Sequence, residues 1–168
     1  PAIDLLAQKL FERHGKLDVL IGNAAQLGVL GPVGHISPSL WARVLDVNLT
    51  ANWRLIRSFD PLLRAAPKGS AIFLTSRVGH DVRPYWGAYA VSKAGLEMLV
   101  KLYAEETRGT SVRVNLVDPG AVNTDMRSEA MPGEDPSSLP LPEALADIFI
   151  DLSLPDCRHH GLLHKAEV

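Results

Sequence analysis

The chain has 168 residues, 46% of them hydrophobic and 21% charged, which suits one folded domain with a buried core and argues against disorder. Its 17 basic and 19 acidic side chains are scattered and leave a net charge of −2, so no basic surface is offered to nucleic acid. The one cysteine, Cys157, excludes an internal disulfide and points to a reducing, cytoplasmic setting; no apolar run approaches the ~20 residues that cross a bilayer.

The sequence opens without a Met, and apolar residues at Ile3, Leu6, Leu10 and Phe11 predict an amphipathic helix already under way, which suggests a missing N-terminus. Gly15 stops that helix, and LDVLIGNAA (17–25) follows as a short apolar run of the kind that forms a buried parallel strand. A glycine-rich loop, QLGVLGPVGHI, leads to Ser37 and Pro38, an N-cap and first helical residue. The long helix that begins there carries Leu40, Trp41, Val44, Leu45, Val47, Leu55 and Ile56 on its apolar face, interrupted by Asn48 and Asn52.

SAIFLTS (70–76) is a second buried strand, and the loop RVGHDVRP feeds a helix over GAYAVSKAG that runs to about Arg108. VRVNLVDPG (112–120) is a third strand, ended by Pro119 and Gly120, and GLLHKAEV is a candidate fourth. Between them, MRSEAMPGEDPSSLPLP reads as a long loop or lid, followed by a helix from about Pro142 to Leu154. Alternating strands and helices predict an α/β layered fold with a parallel sheet, whose ligands sit beyond the carboxyl ends of the strands.

Tyr89 and Lys93 stand four residues apart, so one helix face presents a phenol and an ammonium to the same space. A free tyrosine ionises near pH ~10; a positive charge ~5 Å away at an effective dielectric constant of ~20 supplies roughly 3 kcal/mol, about two pKa units. That brings the phenol toward the range of an acid/base catalyst. The pair alone also describes many solvated helix faces. Ser76, at the carboxyl end of the second strand, could hydrogen-bond a substrate oxygen and the phenol, or simply cap a turn; its competitor Thr75 should point to the opposite face.

Ser76, Tyr89 and Lys93, with AYAVSKAG around them, closely resemble the active-site signature of the short-chain dehydrogenase/reductase family. In the order of that family, GNAA (22–25) stands where Asn-Asn-Ala-Gly is usual, with Asn23 and Ala24 matching and Gly22 and Ala25 departing from it. DVNLTANW makes Asn48 the match to the fourth catalytic residue, which helps hold a proton-relay water, and DPGAVNTDM resembles the segment that binds the nicotinamide carboxamide through Val122 and Thr124.

The resemblance implies a Rossmann-like three-layer fold, a parallel sheet with helices on both faces, forming a single partial domain over residues 1–168 with its N-terminal strands missing. It implies hydride transfer between NAD or NADP and a small-molecule carbonyl or alcohol. Tyr89 would be the general acid/base, Ser76 would orient the substrate oxygen, Lys93 would lower the tyrosine pKa and Asn48 would support the relay. Asn23, Ala24, Tyr89, Lys93, Pro119, Gly120, Val122 and Thr124 would line the cofactor, and a homodimer or homotetramer would form through the helices near 38–66 and 85–107.

The family's Thr-Gly-x-x-x-Gly-x-Gly turn has no counterpart in these residues, since GVLGPVG follows the wrong strand. By the resemblance, two βαβ-type units of ~30 residues each are absent. The competing reading is therefore a non-catalytic remnant acting as a binding or assembly module; a third gives the Tyr and Lys pair epimerase or dehydratase work. His159, His160 and His164, with only Cys157 nearby, form no closed metal site and read as surface residues, so no metal is expected. His80 and Arg77 are candidates to touch substrate, and Trp86 with residues 126–142 should shape the pocket.

Overall fold

The computed structural model describes residues 2–166 and forms one four-stranded parallel sheet between two helical layers. Its elements in chain order are α1 (Ala2–His14), β1 (Val19–Gly22), α2 (Pro38–Leu45), α3 (Ala51–Ala65), β2 (Ser70–Leu74), α4 (Gly87–Thr107), β3 (Arg113–Asp118), α5 (Asp125–Ala130), α6 (Ala146–Ser153) and β4 (Leu163–Lys165). Strand order follows chain order, β1-β2-β3-β4, with Val19 beside Ser70, Ser70 beside Arg113 and Leu116 beside Leu163. Each connection carries a helix, as parallel pairing requires.

Alternation along the strands divides the core. Ala71 and Phe73 of β2, with Val114 and Leu116 of β3, face α1, α3 and α4, where Phe59, Leu63, Leu96, Val100 and Tyr103 pack on them. Ile72 and Val117 face the other way, against Leu152, Ile148 and Phe149 of α6. Both sheet faces are covered, which is why the strands read as unbroken apolar runs rather than alternating ones.

Three local differences from the sequence reading have physical causes. The long helix after Pro38 does not run uninterrupted to residue 66: a single π-helical turn, Asp46–Thr50, separates α2 from α3. The segment 126–142 is not all loop, since Thr124 accepts the Arg127 amide at 3.2 Å and caps the short helix α5. The last predicted strand is shorter than GLLHKAEV, and Glu167 and Val168 lie outside the described residues, as does Pro1.

Gly22 explains one departure from the expected Asn-Asn-Ala-Gly pattern. A Cβ there would lie 2.4 Å from Phe73 Cδ1 on the neighbouring strand and 2.4 Å from the Asn52 side-chain oxygen. The volume that a side chain would need is already filled by Phe73 and Asn52.

Among the described residues no helix is long and apolar enough to cross a membrane, and no group of three or more His, Cys, Asp or Glu could hold a metal ion. His160 is only partly exposed: its Nδ1 accepts the Val114 amide at 3.2 Å and its Nε2 donates to the Ala104 carbonyl at 2.9 Å. His159 and His164 stack with ring centres 4.9 Å apart. His159 is exposed, as expected, but the His160 side chain joins the C-terminal segment to β3 and α4, which a surface reading did not anticipate.

Candidate active site

At the carboxyl end of the sheet lies a cavity of about 610 Å³. Its walls include Ser76, Tyr89 and Lys93, and also Asn23, Ala24, Pro119, Gly120, Val122 and Thr124. Residues from four separate stretches meet there because β1, β2 and β3 all end on the same side and α4 starts beside them.

Tyr89 and Lys93 enter the cavity from the first two turns of α4. Both are buried, Tyr89 to 8% exposure and Lys93 to 2%. The Lys93 ammonium lies 5.7 Å from the centre of the Tyr89 ring and donates to the Leu74 carbonyl at 2.8 Å. Burial lowers the Lys93 pKa from 10.5 to about 8. The phenol moves the opposite way from the expectation of a lysine-lowered tyrosine: burial raises its pKa above 10.0, the Asp118 charge adds to the rise, and a hydrogen bond with Ser76 opposes it. The reason is that the low-polarity surroundings penalise a phenolate more than the serine hydroxyl supports it.

Ser76 follows β2 in extended backbone (φ −161°, ψ 152°), and a short 3₁₀ turn, Arg77–Gly79, begins directly after it. Thr75 does not compete for its role, because the Thr75 hydroxyl donates to Glu97 at 2.8 Å.

Asn48 does not line the cavity; it is wholly buried in the π-helical turn. Its side-chain oxygen accepts the Gln26 amide at 2.7 Å, and its Nδ2 donates to the Gln26 carbonyl and the Ser92 hydroxyl, each at 2.9 Å. Ser92 in turn donates to the Tyr89 carbonyl at 2.7 Å. The extra residue of a π turn aims Asn48 inward, where it ties the segment after β1 to the helix that carries Tyr89.

Of the residues expected to line a cofactor, Asn23, Ala24 and Thr124 are exposed and Val122 is buried to 7%. Gly120 takes a positive φ of 70°, and its amide donates to the Asp118 carboxylate at 3.1 Å, so the Pro119-Gly120 exit is a fixed turn. The opposite wall is apolar: Leu27, Trp86 and Tyr89 pack with Val78, Met126 and Met131, the Trp86 and Tyr89 rings meeting edge to face at 6.0 Å. Arg127, which also lines the cavity, pairs with Glu134 at 2.6 Å, while Arg83, in the adjoining groove, holds its guanidinium 5.0 Å from the Trp86 ring centre.

His80 is not part of the wall. Its ring points away, 2.9 Å from Glu97 and 3.9 Å from Asp118, whereas Arg77 lines an adjoining groove of about 660 Å³. The sequence reading passed over Glu97, although the four-residue spacing Tyr89, Lys93, Glu97 puts all three on one helix face.

A sequence model described as short chain dehydrogenase matches residues 1–135. The uncharacterized oxidoreductase YciK of Escherichia coli K12 is 36% identical over 153 residues, covering 91% of this chain and 60% of that protein. The Saccharomyces cerevisiae benzil reductase ((S)-benzoin forming) IRC24 is 35% identical over 137 residues, 76% of this chain and 50% of that one. The crystal structure of a Salmonella enterica short chain dehydrogenase superposes with a TM-score of 0.96 at 34% identity, over 99% of this chain and 69% of the other. A Shigella flexneri short chain dehydrogenase complexed with NADP superposes with a TM-score of 0.93 at 34% identity, over 97% of this chain and 68% of that one. The chain thus spans one half to about two thirds of the length of these relatives.

Proposed function

The chain belongs to the short chain dehydrogenase family, and from that premise we propose that it interconverts an alcohol and a carbonyl as an NAD- or NADP-dependent oxidoreductase. The observation that carries this reading is that Ser76, Tyr89 and Lys93 share one cavity with all the residues assigned to the cofactor.

The residues present fit a nicotinamide. The turn at Pro119 and Gly120, the apolar side chain of Val122 and the residues Asn23 and Ala24 line one cavity and would hold the nicotinamide end of the cofactor. Bound there, NAD or NADP supplies the hydride acceptor or donor. A dinucleotide phosphate turn of the glycine-rich type does not occur in these 168 residues, so what this chain offers is the nicotinamide end of the site.

Tyr89 gives its phenolic proton to the substrate oxygen as a carbonyl is reduced and takes a proton back as an alcohol is oxidised. Ser76 donates a hydrogen bond to the same oxygen and favours the developing charge. Lys93 keeps a cation behind the phenol, and charge forming on Tyr89 in the reaction is drawn to it. Asn48 supports the proton relay by holding Gln26 and Ser92, and through Ser92 the Tyr89 backbone, in place. The wall formed by Trp86, Leu27 and Met126 suits a substrate with an apolar, aromatic-sized group.

A chain with this site is better described as an enzyme than as a binding or assembly module. Titration with NADH and NADPH, read by nicotinamide fluorescence, together with turnover of aromatic ketones, tests the proposal. Tyr89→Phe should abolish turnover and leave cofactor affinity within about twofold. Full activity in that variant sinks the assignment.

A further inference from the structure

Two turns of α4 beyond Tyr89, Glu97 buries its carboxylate to 3% exposure. A buried carboxylate costs several kcal/mol unless its oxygens are satisfied, so its partners indicate what it is there to hold. One oxygen, Oε1, accepts the Thr75 hydroxyl at 2.8 Å and lies 2.9 Å from Nδ1 of His80. The other, Oε2, is 3.6 Å from the half-exposed ammonium of Lys101.

Thr75 and His80 flank Ser76. Between them the backbone closes tightly, the Gly79 amide donating to the Ser76 carbonyl at 2.8 Å. A Cβ on Gly79 would lie 2.9 Å from the Glu97 oxygen and 3.1 Å from the Thr75 hydroxyl, so the turn is drawn down onto the carboxylate. The second nitrogen of His80 is 3.9 Å from Asp118, whose other oxygen accepts the Gly120 amide. One carboxylate on the tyrosine's own helix therefore reaches the serine segment on both sides, and through His80 the turn at Asp118.

We propose that Glu97 is a positioning residue that fixes the Ser76 hydroxyl against the Tyr89 phenol by holding Thr75 and His80 on a single carboxylate oxygen. This rests on the reading of Ser76 and Tyr89 as the reacting pair. Without Glu97 the end of β2 is tied to α4 by packing and by the Lys93 hydrogen bond to Leu74, which leaves the Ser76 to His80 segment beyond it unheld, and a hydrogen bond to a phenol weakens steeply with a few tenths of an ångström. Glu97 converts that packing into a defined geometry.

The test follows ionisation of Tyr89 in the intact chain by NMR of tyrosine labelled with ¹³C at Cζ; the chain has three tyrosines, and Tyr89→Phe assigns the signal. Glu97→Ala should move the titration upward by roughly half a pKa unit or more, because Ser76 no longer supports the phenolate. Loss of the Glu97 charge by itself moves it downward, so a rise isolates the serine. Glu97→Gln keeps an oxygen for Thr75 and His80 but loses the charge, so it should titrate at or slightly below the wild type and not above it. An unchanged titration in Glu97→Ala, or a Gln variant identical to the Ala variant, overturns the proposal. Should Glu97→Ala not fold, Thr75→Val keeps shape and removes one donor; it should move Tyr89 in the same upward direction, and no movement is again decisive against the idea. The readout needs no turnover, so an inactive chain would count against the proposed reaction and not against this role of Glu97.

Discussion

The ammonium of Lys93 donates to the carbonyl of Leu74 at 2.8 Å while standing 5.7 Å from the centre of the Tyr89 ring. The lysine is thereby anchored to the end of β2 and leaves the phenol to Ser76. Burial lowers its pKa from 10.5 to about 8, so between those values the unfolded chain binds more protons than the folded one. Stability must therefore rise with pH through that window, and the cost of the buried charge is fully present below about 8. At ~1.36 kcal/mol per pKa unit, the wild type should gain roughly 2–3 kcal/mol relative to Lys93→Met between pH 7.5 and 10.5. Urea unfolding at the two pH values measures it, and a flat difference would contradict the buried charge.

Ser76→Ala should push ionisation of the Tyr89 phenol further up. Burial already raises it, and the serine is the group that opposes that rise. If the proposed reaction holds, the same variant loses on the order of 10²-fold in kcat, the usual scale for one oxyanion donor, with cofactor affinity unchanged. Equal losses in kcat and cofactor binding would place Ser76 elsewhere in the site.

Asn48→Ala removes three hydrogen bonds at once, one buried and two part-buried, and strands both backbone groups of Gln26. With ~1–3 kcal/mol for each buried group left unpaired, a loss of about 3 kcal/mol is expected in a denaturant melt. A change below ~1 kcal/mol would mean that the segment at Gln26 is held by something else.

Gly22→Ala should cost about 2 kcal/mol or more, because the new methyl meets Phe73 and Asn52 at 2.4 Å. Combined with Phe73→Val, which clears the ring, the cost should be less than the sum of the two single changes, a coupling visible in a double-mutant cycle. Additive losses would refute the idea that Phe73 imposes the glycine.

Trp86→Ala opens the apolar wall beside Tyr89 and removes the edge-to-face ring contact. About 1.4 kcal/mol of lost contact corresponds to a roughly tenfold rise in KM for an aromatic ketone. A small aliphatic ketone should be nearly indifferent. A uniform rise for both would point to damage to the site rather than to loss of a substrate contact.

The layered fold was legible from residue patterns, as was the meeting of the candidate residues Ser76, Tyr89 and Lys93 at the carboxyl end of the sheet. Apolar runs at 19–22, 70–74 and 113–118, each followed by a helix or a turn, are sufficient for a parallel sheet, and Tyr89 and Lys93 declare a shared helix face by spacing alone. Those are one-dimensional signals, because strand burial and helical period repeat along the chain.

The pairings across the chain were decided in three dimensions. That Asn48 would spend its amide on Gln26 and Ser92, that Lys93 would turn to Leu74, and that Glu97 would gather Thr75 and His80 all depend on the approach of residues 17 to 44 positions apart. The pKa directions belong to the same class. Sequence spacing supplied a lysine beside a tyrosine, but whether the phenol is lowered by that charge or raised by burial depends on how much water and which acceptors surround it, and only packing fixes those.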